Sequence, residues 1–200
     1  MTQLVGTVIV GGSSTVTVAV DGAPDDTPAD PVPIRNWTGR TLLVGQRVRV
    51  EFTDDGGVAV TGAISQPPQP WNPTYTNLTI GSGGEVVTAW APQTDGLIWA
   101  RFQFVLGAGS AVGTQPRISL PVPAASTYLN ATSIIGSCMM VGPSGVRYPG
   151  TVSWGTNNNM VPAAINTAGT YATFALLSAT VPFTWATGHA LECEVSYEPA

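Results

Sequence analysis

The chain has no lysine: its seven basic residues are all arginine. Charged residues of all kinds make up 10% of the 200 positions, against roughly 25% in an ordinary soluble domain. The formal net charge is −5. A chain so poor in cations lacks the clustered positive charge that nucleic-acid recognition needs, so no nucleic-acid partner is expected. There are two cysteines, Cys138 and Cys193. They are too few for a disulfide framework and read as small core hydrophobes, with a single bridge as the alternative. The one histidine, His189, has no companion at zinc-ligand spacing and no nucleophile-elbow serine to serve. No apolar run approaches the ~20 residues of a membrane helix, so no membrane insertion is expected. No stretch carries a helical period. The opening MTQLVGTVIVGGSS has neither the basic front nor the long apolar middle of a signal peptide, which implies synthesis in the cytoplasm without a secretion tag.

What is present points one way. Hydrophobic residues are 44% of the chain, enough for a packed core. The 23 glycines and 17 prolines fall at intervals between short β-branched runs, the pattern of an all-β protein. So little charge leaves much neutral surface, which burial in an oligomer would hide.

Residues 1–64 read as a small OB-like barrel. Strands are expected at 7–10, 15–20, 34–43, 47–52 and 58–64, with Val16, Val18 and Val20 on one face of the second and Thr15, Thr17 and Ala19 on the other. In the fourth, Val48, Val50 and Phe52 point inward. Asp54-Asp55-Gly56-Gly57 is a hairpin turn. Residues 65–73, SQPPQPWNP, form a proline-rich linker. Residues 74–200 read as a jelly-roll-like β-sandwich with strands at 76–80, 85–90, 97–106, 115–120, 133–141, 151–154, 171–178 and 190–197. Two alternations stand out: Ile98, Ala100, Phe102, Phe104 and Leu106 share one face, as do Leu191, Cys193, Val195 and Tyr197.

Candidate chemistry is sparse. Asp25, Asp26 and Asp30 share an acidic loop whose prolines break the spacing of a calcium site. GSGG at 81–84 lacks the lysine and the helix of a phosphate loop. Neither a metal nor a cofactor is expected. Glu192 and Glu194 lie on one face of the last strand, about 7 Å apart. That separation suits an inverting glycosidase pair, but alternation with apolar residues makes them solvated side chains, and no catalysis is expected. Residues 143–160 read as a long polar loop carrying Arg147, Tyr148, Trp154, Asn157, Asn158 and Asn159. Aromatic faces stack on sugar rings and amides bond hydroxyls, so these six are the candidate glycan site. The alternative places Trp154 in a strand and the asparagines in a turn. The run IIGSCMMV at 134–141 does not alternate. Apolar on both faces, it offers Ile134, Ile135, Met139, Met140 and Val141 as contacts with another subunit.

Two stretches carry a resemblance. VGQRVRV (44–50) followed by VAVTGAI (58–64) is similar to the N-terminal domains of phage baseplate and minor tail proteins. WNPTYT (71–76), LTIGSG (78–83), FVLGAGSA (104–111) and ISLPVPA (118–124) resemble the β-sandwich of minor tail proteins of tailed bacteriophages, a likeness extending over 71–200. The family commonly has Tyr where Trp90 stands, and Val where Trp99 stands. The resemblance implies a structural virion protein, not an enzyme. It implies a homotrimer whose barrel docks on other virion proteins and whose sandwich projects toward the host surface, where multivalency strengthens weak glycan contacts. A capsid decoration or head-fibre protein is one alternative. A carbohydrate-binding module or glycan-cleaving enzyme is the other.

Overall fold

Alternation of apolar and polar side chains sets the strands of both halves of the chain. The computed structural model describes residues 3–21, 33–39, 42–52, 57–64, 66–125, 133–156 and 158–200, and among these there is no α-helix. The chain divides into two compact units, residues 1–67 with 92–97, and residues 68–91 with 98–200.

The first unit contains β1 (Gln3–Val10), β2 (Thr15–Val20), β3 (Ile34–Asn36), β4 (Arg47–Phe52) and β5 (Val58–Ile64). They form a closed barrel in the order β1-β2-β3-β5-β4, with β4 returning to β1 and β3 parallel to β5. This is the small OB-like barrel that the strand spacing predicts. Val8, Val16, Val18, Leu42, Val48, Val50 and Val60 fill it. On its exterior Arg47 pairs with Asp21 and, through that hydrogen bond, holds the Asp21 carboxyl below its ordinary pKa.

Three details differ from expectation. Phe52, the last residue of β4, is exposed and not inward. Thr17 is buried, not outward. The third strand stops at Asn36, whose Nδ2 donates to the Gly12 carbonyl at 3.0 Å. Its Oδ1 accepts from the Thr38 backbone N–H and hydroxyl, turning the chain locally. Asp25, Asp26 and Asp30, and residues 53–56 of the expected hairpin turn, lie outside the described residues.

The second unit contains β6 (Tyr75–Thr79), β7 (Glu85–Pro92), β8 (Ile98–Val105), β9 (Ala111–Ser119), β10 (Ile134–Val141), β11 (Arg147–Gly155), β12 (Asn159–Asn166), β13 (Thr173–Leu176) and β14 (Ala190–Tyr197). They make one nine-stranded sheet in the order β6-β9-β12-β11-β10-β14-β8-β7, with β13 attached to β12. The inward faces of β8 and β14 are those the alternation predicts: Ile98, Ala100, Phe102, Phe104, Leu191, Cys193, Val195 and Tyr197 are all buried. The sheet curls over this core. Tyr75 on β6 and Phe102 on β8 lie near opposite ends of the strand order, yet their rings are 6.0 Å apart. The sandwich-like unit is thus one sheet folded onto itself.

Curling brings two edges face to face, and residues 69–74 lace them together. Gln69 and Trp90 exchange both backbone hydrogen bonds at 2.8 Å. The Trp71 N–H donates to Thr88 Oγ1 at 3.0 Å, and that hydroxyl donates back to the Trp71 carbonyl at 2.7 Å. On the other side the Trp71 indole Nε1 donates to the Ser119 carbonyl at 3.3 Å. The Thr74 N–H donates to Ser119 Oγ at 2.9 Å. One short segment therefore grips β7 and β9 at once. A second clamp pins the end of β9 to the terminal strand. The Tyr197 hydroxyl donates to the Val122 carbonyl at 2.9 Å and accepts its N–H at 3.4 Å.

β12 is absent from the sequence-based reading, which places no strand over 159–166. Pro162 and three successive asparagines argue against one. The proline is tolerated because β9 pairs with β12 only at Asn159 and Met160, while β13 pairs only from Ala163 onward. Pro162 sits in the gap between these two neighbours.

Phe102→Ala should cost about 3–5 kcal/mol, measured by urea unfolding of the second unit. Burial raises the Tyr197 phenol above its ordinary pKa. Its stabilising contribution is therefore complete below about pH 10 and is lost as pH rises through the folded value. The urea midpoint should fall above about pH 10, and fall less steeply in Tyr197→Phe. The same slope in both proteins would refute the clamp.

Candidate functional sites

The six candidate glycan residues do not share a loop. After a 3-10 turn at Pro143–Gly145, the stretch becomes β11 and then a tight turn into β12. Arg147 and Tyr148 start β11, and Trp154 stands near its far end, roughly 20 Å away at ~3.3 Å per residue. The Asn158 Oδ1 accepts the Ala124 N–H at 3.0 Å, and its carbonyl accepts the Leu120 N–H at 2.9 Å. Its φ of 58° makes it the left-handed corner of the turn. Asn159 Nδ2 donates to the Thr156 carbonyl at 3.1 Å. The amides of Asn158 and Asn159 thus hold the turn. Asn157 lies outside the described residues. Trp154 is half-buried, and its indole N–H is buried without a partner among the described residues. The single candidate site therefore separates into two unrelated places.

At the first place Tyr148 joins an aromatic cluster that no sequence spacing reveals. Its ring centroid is 4.9 Å from that of Phe183, which lies 4.7 Å from Trp185 and 5.1 Å from His189. Gly142 allows the close approach, since a Cβ there would lie 2.7 Å from the Phe183 ring. His189 Nδ1 accepts the Ala186 N–H at 3.1 Å, and Trp185 Nε1 donates to the Val181 carbonyl at 3.1 Å. The histidine closes a turn.

The candidate subunit-contact run also differs from expectation. β10 does alternate, with Cys138 and Met140 inward and Ser137 and Met139 outward. A bulge between Ile134 and Gly136 inserts Ile135 and turns it inward. Ile135 and Met140 are buried by this chain itself, so they offer no surface to another subunit. Ile134 and Met139 are exposed, and Val141 is half-buried. The bulge explains why no clean period was legible.

The acids of β14 each have a structural partner on β8. Glu192 lies 2.9 Å from Arg101 Nε, and Glu194 Oε1 accepts the Trp99 indole N–H at 2.9 Å. Cys138 and Cys193 face each other across β10 and β14 as buried free thiols. Their mutual hydrogen bond and burial push the Cys193 thiol up, which suits core packing. The GSGG turn has a packing role. It crosses the turn at 107–110 so closely that a Cβ on Gly107 would lie 2.1 Å from the Gly83 carbonyl carbon. Ser110 Oγ ties the crossing by accepting the Gly107 N–H at 2.9 Å and donating to the Ile80 carbonyl.

A groove of about 560 Å³ opens on the laced seam, lined by Pro70, Trp71, Asn72, Pro73, Tyr75 and Val87 among others. The Trp71 indole is held by its bond to Ser119. Tyr75 is half-buried, and its phenol pKa is raised by desolvation. The held Trp71 indole and the Tyr75 ring, beside the exposed amide of Asn72, form a surface able to stack on and hydrogen-bond a sugar ring. In the sequence, residues 70–73 read as part of the proline-rich linker and Val87 as part of a strand. The clustering of Trp and Tyr among prolines was the available signal. No protein-family model, characterised protein or solved structure matches the chain.

Gly107→Ala should lower stability by at least ~1–3 kcal/mol, because only backbone stands in the way of the new methyl. Gly169→Ala, with its nearest neighbour at 3.6 Å, should change it by less than ~0.5 kcal/mol. Thermal unfolding of both variants decides, and equal melting temperatures would refute the crossing.

Proposed function

We propose that this chain is a structural component of a tailed-bacteriophage particle, a minor tail or tail-tip protein that assembles as a homotrimer. One observation carries the reading. The segments that resemble the tail-protein sandwich are those that hold the second unit together: WNPTYT laces the seam, LTIGSG and FVLGAGSA supply the crossing glycine turns, and ISLPVPA is clamped by Tyr197. A likeness at the positions where backbone geometry is most demanding is a likeness of architecture.

A non-catalytic role is supported by how the titratable side chains are used. Glu192, Glu194 and His189 each serve a neighbouring strand or turn. In the barrel, Val10, Trp37 and Val44 are exposed apolar side chains suited to docking on other virion proteins. We assign host-glycan contact to the seam groove, because the Trp71 indole is held by its bond to the Ser119 carbonyl and the Tyr75 ring packs against Phe102.

Antibody labelling of intact particles under the electron microscope tests the assignment. Label at the tail end is expected. Label on the head shell would transfer the protein to the capsid-decoration class, and washed particles without label would retire the virion reading. For the groove, Val87→Asp should abolish cosedimentation with host envelope polysaccharide while leaving the fold intact. Unchanged binding would remove the groove from the proposal.

A further inference from the structure

β13 pairs with β12 alone, and its other edge carries no strand among the described residues. Around it four large apolar side chains stand in solvent: Tyr171 is 81% exposed, Phe174 57%, Leu176 51% and Ile165 38%. Phe174 lies directly across from Ile165 in the β12–β13 register. Phe174 and Leu176, two apart on the strand, share that face. A cluster of this kind beside a free strand edge is costly in water and marks an association surface.

Charge identifies what covers it. From Tyr148 to Leu191 there is no Asp, Glu, Lys or Arg. That segment includes all of β12 and β13 and nearly all of β11. A surface meant for an acidic or basic partner would carry the opposite sign. Here neither sign is present, so there is nothing to steer a charged partner. A second copy is the partner this neutrality fits. The chain carries a net charge of −5, so contact between two copies costs least where charge is absent, and this segment supplies such a region. The free edge of β13 also offers main-chain groups to a strand of the neighbouring copy.

We propose that the β12–β13 face is the self-association surface of this protein, with Phe174, Leu176 and Tyr171 buried against a second copy. This deepens the assembly reading given above by naming its surface. The β10 residues Ile134 and Met139 then face solvent in the assembled state.

Sedimentation velocity of the full chain at micromolar concentration tests it. The unaltered protein should sediment as an oligomer. Phe174→Asp and, separately, Tyr171→Asp should sediment as 20.6 kDa monomers, with association at least tenfold weaker. Tyr171 lies outside the strands, so its replacement spares the fold, and circular dichroism confirms a β spectrum for each variant. Met139→Asp, on β10, should leave the oligomer intact. The proposal is overturned if the unaltered chain is monomeric, if folded Tyr171→Asp still assembles as the parent does, or if Met139→Asp alone dissociates it. Particle labelling is independent of these outcomes: an unlabelled virion would end the phage assignment while a dissociating Tyr171→Asp would still establish the surface.

Discussion

Every β-strand carries a row of backbone donors and acceptors along each side, and a protein without helices has to dispose of both rows. That requirement governs this molecule. The barrel meets it by closure: β4 returns to β1, so all five strands have two neighbours. The larger sheet does not close by pairing its terminal strands β6 and β7. It curls, and residues 69–74 bond across the remaining seam. The core follows from that curl. Phe102, Phe104 and Leu191 lose water because the sheet wraps over its own apolar face.

The seam and the groove are one feature. Trp71 must point its indole N–H at Ser119 to finish the lacing, which fixes the ring in a depression between two edges. A pre-oriented aromatic side chain binds at lower entropic cost than a mobile one. The device that stabilises the unit thus also prepares a recognition surface. The glycine turns contribute in the same structural sense. Gly81 and Gly107 let two chain reversals cross at backbone contact, which draws the ends of β6 and β8 together.

How much was legible depended on whether the determining pattern was local. β2, β4 and β14 coincide with the spans read from alternation, because a period of two is written into consecutive residues. β10 looked apolar on both faces because one bulge at Ile135 inverts its phase. β12 was invisible because Pro162 is disfavoured in a paired strand unless neighbours happen to leave a gap there. The candidate glycan residues were grouped by proximity in sequence, but an extended strand separates residues by more than three ångströms per step, so Tyr148 and Trp154 ended far apart. In the opposite sense, Phe183 reaches Tyr148 from a distant part of the chain, with His189 packed against Phe183.

The sequence by itself determined the all-β class, the small barrel followed by a sandwich-like unit, and the inward faces of β8 and β14. Those properties are set by residue-to-residue alternation and by turn residues, which act over a few positions. Tertiary structure alone decided that the sandwich is a single curled sheet and that Trp71 closes its seam. It also decided that Glu192 and Glu194 serve β8, and that β13 is left with an open edge. Each of these depends on which strands become neighbours, a choice made by the total burial of apolar surface across the whole unit and by no short stretch of it.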